Sequence, residues 1–251
     1  MCIIIVKPAG EVIPEEHLEQ AWWRNSDGGG FAYPKNGKVI IQKGFFSFDA
    51  FLKTYSRAVK ENPSAPFLVH FRLSTGGKID GRNCHPFRIA DDLALAHNGV
   101  FGSIQATDEK SDTKVLARRI HRLDRSLFSN EDFLWLLERF FVAEHSKGVL
   151  LFGSGKHVIL NEETGSWKNG CWYSNNTYQP LAGFRKHGTD VYYDCWNSLY
   201  RDECEKNGRC EYCLELTTVR KSKSGYELCR DCMAMIGEEV ITTTEEREVQ
   251  S

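Results

Sequence analysis

Short runs of β-branched and aromatic residues, each closed by Gly, Asn or a charged turn, dominate the first half of this chain: Ile3 to Val6, Phe31 to Tyr33, Val39 to Gln42, Pro66 to Leu73 and Leu93 to His97. Runs this short with turn residues between them read as strands. Helical periodicity appears at Phe48 to Val59 behind Ser47, at Thr113 to Leu123 with Leu116, Ile120 and Leu123 on one stripe, and at Glu131 to Phe141 with Phe133, Leu137 and Phe140 on one face and a start signal at Ser129 to Asp132. Strand texture returns at Val149 to Phe152, His157 to Leu160 and Cys171 to Ser174, with a turn at Gly153-Ser154-Gly155. Strands in meanders and helices in runs of their own predict an α+β domain, with sheets packed on each other and helices outside.

After about Pro180 the chain becomes polar, charged and Cys-rich, which places a boundary there. The expected division is a main domain over 1–180, a small module over 181–240 and a flexible tail over 241–251. At 251 residues, 41% hydrophobic, 26% charged and with a formal net charge of -2, the chain has the composition of an ordinary globular protein. That charge gives no support to nucleic-acid binding. No apolar run reaches the roughly 18 residues of a membrane span, and the start lacks a signal-peptide pattern, so a cytoplasmic protein without membrane contact is expected. Nine cysteines, an odd number in a long chain, are expected to be reduced thiols.

The chemistry centres on Cys2. If Met1 is trimmed, one residue carries both a thiol, with a reference pKa of about 8.5, and an α-amine at roughly 7.7–8.0 that serves as its base. No separate histidine is required. Arg24-Asn25-Ser26-Asp27 leads into Gly28-Gly29-Gly30, where backbone can approach closely. On the strand ending at Leu73, Leu68, His70 and Arg72 share one face, and Arg72 at its mouth suits a carboxylate. Asn98-Gly99 offers an amide and a backbone N–H as a pair of oxyanion donors, or else a plain hairpin turn. Asp112 either caps the following helix or projects to hold an ammonium group.

Taken in order, Cys2, Arg24-x-x-Asp27 with its glycines, His70-x-Arg72-x-x-Thr75, His85-Pro86-Phe87, His97-Asn98-Gly99 and Ser111-Asp112-Thr113 resemble the glutaminase domain of the class II, N-terminal-nucleophile glutamine amidotransferase family over roughly residues 2 to 176. The resemblance implies a four-layer αββα sandwich. It implies that Cys2 attacks the glutamine amide to give a thioester and ammonia, that Asn98 and Gly99 form the oxyanion hole, and that no cofactor takes part in catalysis. It further implies that Arg72, with Thr75 beside it, and Asp112 hold the two charges of the amino-acid head, while Arg24, Asp27 and His70 support them. Where some members carry a histidine after the threonine, this chain has Gly76-Gly77.

Cys210, Cys213, Cys229 and Cys232 form C-x2-C-x15-C-x2-C, the spacing of a tetrahedral structural zinc site, with Cys195 or Cys204 as substitute ligands. Balanced charge around them does not favour nucleic acid, and docking is the expected role. About 70 residues beyond the main domain are too few for an ammonia-consuming domain, so the expectation is that a separate partner enzyme receives the ammonia or else that the protein acts alone as an amidohydrolase. The rival readings are an amidohydrolase of the same kind acting on another γ-glutamyl or amide substrate, and an inactive zinc-dependent binding protein.

Overall fold

The structure, a computed structural model, describes residues 2–75, 77–107 and 110–179, together with the backbone of 206–209, 216–221 and 227–229. The chain divides into two compact units, Met1–Pro180 and Leu181–Ser251. The first is a mixed α/β unit with antiparallel sheets. In chain order it runs β1 (Ile3–Lys7), α1 (Glu15–Arg24), β2 (Gly29–Lys35), β3 (Lys38–Phe45), α2 (Phe48–Glu61), β4 (Phe67–Phe71), β5 (Phe87–Ala90), β6 (Leu93–Asn98), α3 (Asp112–Ile120), α4 (Glu131–Ala143), β7 (Lys147–Phe152), β8 (His157–Leu160), β9 (Ser166–Lys168) and β10 (Cys171–Tyr173). Six strands form one sheet in the order β3-β2-β4-β1-β10-β9, and four form a second in the order β5-β6-β7-β8.

Strand alternation sorts the interior. In β1, Ile3 and Ile5 enter an aromatic layer with Trp22 of α1, Phe51 of α2 and Phe71 of β4, while Ile4 and Val6 enter a layer shared with the second sheet. All five β1 residues are buried. Complete burial of one such side chain is worth roughly 1.5–3 kcal/mol. Much of the layer between the sheets is built from small or compact residues, with Ala32 and Leu68 facing Ala94, Ala96 and Val149 and the bulky Trp172 buried among the same set. On the far face of the second sheet, Leu93, Leu95 and Leu150 pack against Leu116 and Ile120 of α3 and Phe141 of α4.

Helix α1 was not among the expected elements, although Pro14 at its start, Glu15 and Glu16 in its first turn and Arg24 in its last suit a helix end to end. Ser47 stands at the start of α2, yet its side chain makes no capping hydrogen bond. At α4 the cap is Asn130, whose side-chain oxygen accepts from Phe133 N at 2.9 Å. Among the described residues, no helix is long and apolar enough to cross a membrane.

The second unit contains a three-stranded antiparallel sheet of β11 (Lys206–Arg209), β12 (Leu216–Lys221) and β13 (Glu227–Cys229), with Val219 opposite Cys229. Of the expected zinc ligands, Cys210, Cys213 and Cys232 lie outside the described residues, and for Cys229 only the backbone is described. Most of the expected module over 181–240 and all of the tail over 241–251 lie outside them too. Among the described residues, no group of three or more His, Cys, Asp or Glu is placed to hold a metal.

Candidate active site

Period-two alternation decides which side chains meet. Ile4 and Val6 face the second sheet, so Cys2, one step earlier in phase, faces the same way. On β4 the phase of Leu68 carries through His70 to Arg72. On β6, Ala94 and Ala96 lead to Asn98, and on β10 Trp172 leads to Ser174. Residues from both sheets therefore converge at one end of the inter-sheet layer.

Cys2 is half-buried. Its Sγ lies 3.3 Å from both the carbonyl oxygen and the amide nitrogen of Leu73, so it can donate as a thiol or accept as a thiolate. Burial pushes the thiol up from its ordinary pKa; the Leu73 contact and the Arg72 charge oppose that rise, and the Asp112 charge adds to it. Both Arg72 and Asp112 thus act on the sulfur. On the other side of the residue, Asn175 Nδ2 donates to Cys2 O at 2.7 Å. Asn175 is itself fixed, its Oδ1 accepting from Thr177 N at 3.0 Å and Thr177 Oγ1 at 2.7 Å.

The Asp27 loop and the end of β4 form one braced unit. Arg72 N donates to Gly28 O at 2.7 Å and Asp27 N to Arg72 O at 2.9 Å. The Asp27 carboxylate then accepts Ser74 N at 2.8 Å. Arg72 is 2% exposed, and its guanidinium donates to Lys78 O at 2.9 Å, Ser74 Oγ at 2.9 Å and Gly77 O at 3.3 Å. Ser74, not among the expected site residues, is the side chain that Arg72 contacts; Thr75 is exposed. Arg24 closes α1 just ahead of this loop and is half-buried.

Asn98 ends β6, 2% exposed, with its Nδ2 2.8 Å from Ser174 Oγ. Gly99 adopts φ 146°, and a Cβ there would overlap Ser146, so the backbone turns at this point where only glycine fits. The turn is not a hairpin: β6 pairs with β5 and β7, and the chain leads on towards α3. Asp112 ties that connection down, with Oδ2 accepting Phe101 N at 2.8 Å and Oδ1 accepting Thr113 N at 2.6 Å. The cap of α3 is Ser111, whose Oγ accepts Lys114 N at 3.3 Å.

Behind these groups lie three buried imidazoles. His70 Nε2 is 3.1 Å from His97 O, the His70 and His85 ring centres are 4.0 Å apart, and His97 Nδ1 is 2.7 Å from Thr113 Oγ1. Burial pushes His70 and His97 down to about 3 and His85 well below its ordinary value, so all three are neutral. They are framework for the site and not bases at neutral pH. A concavity of about 650 Å³ opens elsewhere, past the Lys7 end of β1, lined by residues such as Ala9, Pro34, Asn62 and His157. None of the candidate residues lines it.

The unit thus has two antiparallel sheets sharing an inner layer, whose rows end in Cys2, Arg72 and Asn98. No protein-family model matches the sequence, and no curated protein matches it. Among solved structures, the chain is similar to a glutamine phosphoribosylpyrophosphate amidotransferase from B. subtilis, complexed with ADP and GMP, at 18% identity and a TM-score of 0.46, over 69% of this chain and 41% of that one. It is also similar to a glutamine aminotransferase class-II domain protein from Silicibacter pomeroyi, at 17% identity and a TM-score of 0.32, over 61% of this chain and 73% of that one.

Proposed function

We propose that the main unit is a four-layer αββα hydrolase of the N-terminal-nucleophile kind, in which Cys2 hydrolyses the side-chain amide of glutamine. The observation that carries this reading is the contact of Cys2 Sγ with Leu73, the residue next to the buried Arg72, with Asn98 at the end of the neighbouring inner strand. A zwitterionic amino-acid head needs one cation and one anion, and its amide end needs a nucleophile and oxyanion donors.

In the proposed reaction, the α-amine exposed by loss of Met1 takes the thiol proton, and Sγ bonds to the amide carbon. Asn98 and the Gly99 N–H hold the oxyanion. As the tetrahedral intermediate collapses, the C–N bond breaks and the amine returns the proton to the departing nitrogen, which leaves as ammonia. Water then cleaves the thioester, giving glutamate and the free thiol. Binding of the α-carboxylate requires Arg72 to exchange contacts it makes with Ser74, Gly77 and Lys78, which assigns the segment after β4 a part in substrate entry.

Cys210, Cys213, Cys229 and Cys232 are proposed to hold a structural zinc within a docking module over 181–240, and a separate cytoplasmic partner enzyme is proposed to receive the ammonia. The deciding experiment is intact mass for loss of Met1, followed by ammonia release from glutamine. Cys2→Ala should lose roughly 10⁴-fold or more of the activity. Full activity in that variant sinks the reading. Equal turnover of amides lacking the α-carboxylate or α-amine points instead to a general amidase.

A further inference from the structure

The hydroxyl of Ser174 occupies a junction between the two sheets. It is fully buried, it accepts Ile4 N–H at 2.8 Å, and it lies 2.8 Å from the terminal amide of Asn98. Its own backbone N–H returns to Ile4 O at 3.0 Å, so its position is locked to β1, the strand that begins beside Cys2. The second terminal atom of the Asn98 amide, placed as Oδ1, is buried without a hydrogen-bond partner.

Counting donors and acceptors shows what this junction does. A hydroxyl has one proton to give and two lone pairs, and an amide oxygen and nitrogen are interchangeable in shape, so the network decides which is which. With Nδ2 on Ser174, the hydroxyl receives two N–H groups, its own proton has no use there, and Asn98 Oδ1 is stranded. With Oδ1 on Ser174, the hydroxyl receives Ile4 N–H and gives its proton to the amide, and Nδ2 is the atom turned away from Ser174. Either orientation leaves one buried amide atom without a partner in the free protein; only the second leaves an N–H group, which an oxyanion can satisfy, where the first would set a carbonyl oxygen that repels it.

Resting on the glutaminase reading above, we infer that Ser174 is the positioning residue of the oxyanion hole: its hydroxyl donates to Asn98 Oδ1 and so turns Asn98 Nδ2 toward the oxygen of the scissile amide. Ser174 does not touch substrate. The next residue, Asn175, holds the Cys2 carbonyl, so two consecutive side chains set the donor and the nucleophile of one reaction.

The test is a double-mutant cycle on glutamine hydrolysis. Ser174→Ala should lower kcat by about 10- to 100-fold with KM changed by less than about 3-fold, since the lost contact acts in the transition state. In an Asn98→Ala background the same change should have almost no further effect, because Ser174 acts through that amide. Ser174→Thr, which keeps the hydroxyl, should recover most of kcat. If Ser174→Ala folds poorly, Ser174→Cys keeps the volume and an acceptor for Ile4 but is a weak donor, and it should show the same kcat loss. Wild-type kcat in the folded Ala or Cys variant, or an equal loss with and without Asn98, overturns the role of Ser174 alone. A wild type that releases no ammonia from glutamine overturns the glutaminase reading and this inference with it.

Discussion

The two ends of the inter-sheet layer obey the same alternation and do opposite jobs. At one end Ala32, Leu68, Ala94 and Val149 close the gap with compact apolar side chains that have no polar atoms to satisfy. At the other, the same rows continue into Cys2, His70, Arg72, Asn98 and Ser174, all polar or ionisable and four of them buried. Small residues let the sheets approach, and that approach is what the proposed pairing of a sulfur on one sheet with an amide on the other requires. The apolar end sets the spacing and the polar end uses it.

Acid should separate the ends most. His70 and His97 are neutral when folded, with pKa values near 3, but titrate near 6.5 when unfolded. Between those values the unfolded chain binds protons that the native chain does not, so stability is complete above about pH 6.5 and falls as the pH drops towards 3. The slope is roughly 1.4 kcal/mol per pH unit for each histidine. Urea unfolding at pH 7 and pH 4.5 should therefore differ by several kcal/mol, and equal midpoints would break the comparison.

Next in size, Asn98→Ala should cut kcat by roughly 10²- to 10³-fold while leaving the melting temperature nearly in place. Ala96→Leu, two residues away at the apolar end, should do the reverse. Overpacking there costs about 1–3 kcal/mol in thermal or urea unfolding, with the fraction that stays folded retaining the active-site groups. The smallest effect is expected for Asp27→Asn, which keeps an acceptor for Ser74 N but removes its charge: about 1 kcal/mol or less in stability, read by the same unfolding assay.

Much of this arrangement could be read from the sequence because strand alternation is local. Leu68, His70 and Arg72 lie on one face by counting alone, and the central strands and helices fall close to where their apolar periods put them. Helix α1 escaped because its buried stripe is only Leu18, Ala21 and Trp22 in an otherwise polar stretch. Strand β5 escaped because it spans only Phe87–Ala90 and is interrupted by the exposed Arg88. The contact of Arg72 with Ser74 depends on how the chain turns after β4, which no pattern of residue types specifies. Ser174 and Asn175 are farther out of reach still: their partners Ile4, Asn98 and Cys2 become neighbours only when β10 pairs with β1.

That last pairing bears on the maturation proposed above. The described contacts of Cys2, from Leu73 on its sulfur and from Asn175 on its carbonyl, fall on atoms that the proposed loss of Met1 would leave untouched. On the proposed reading, loss of Met1 would leave both of these contacts in place.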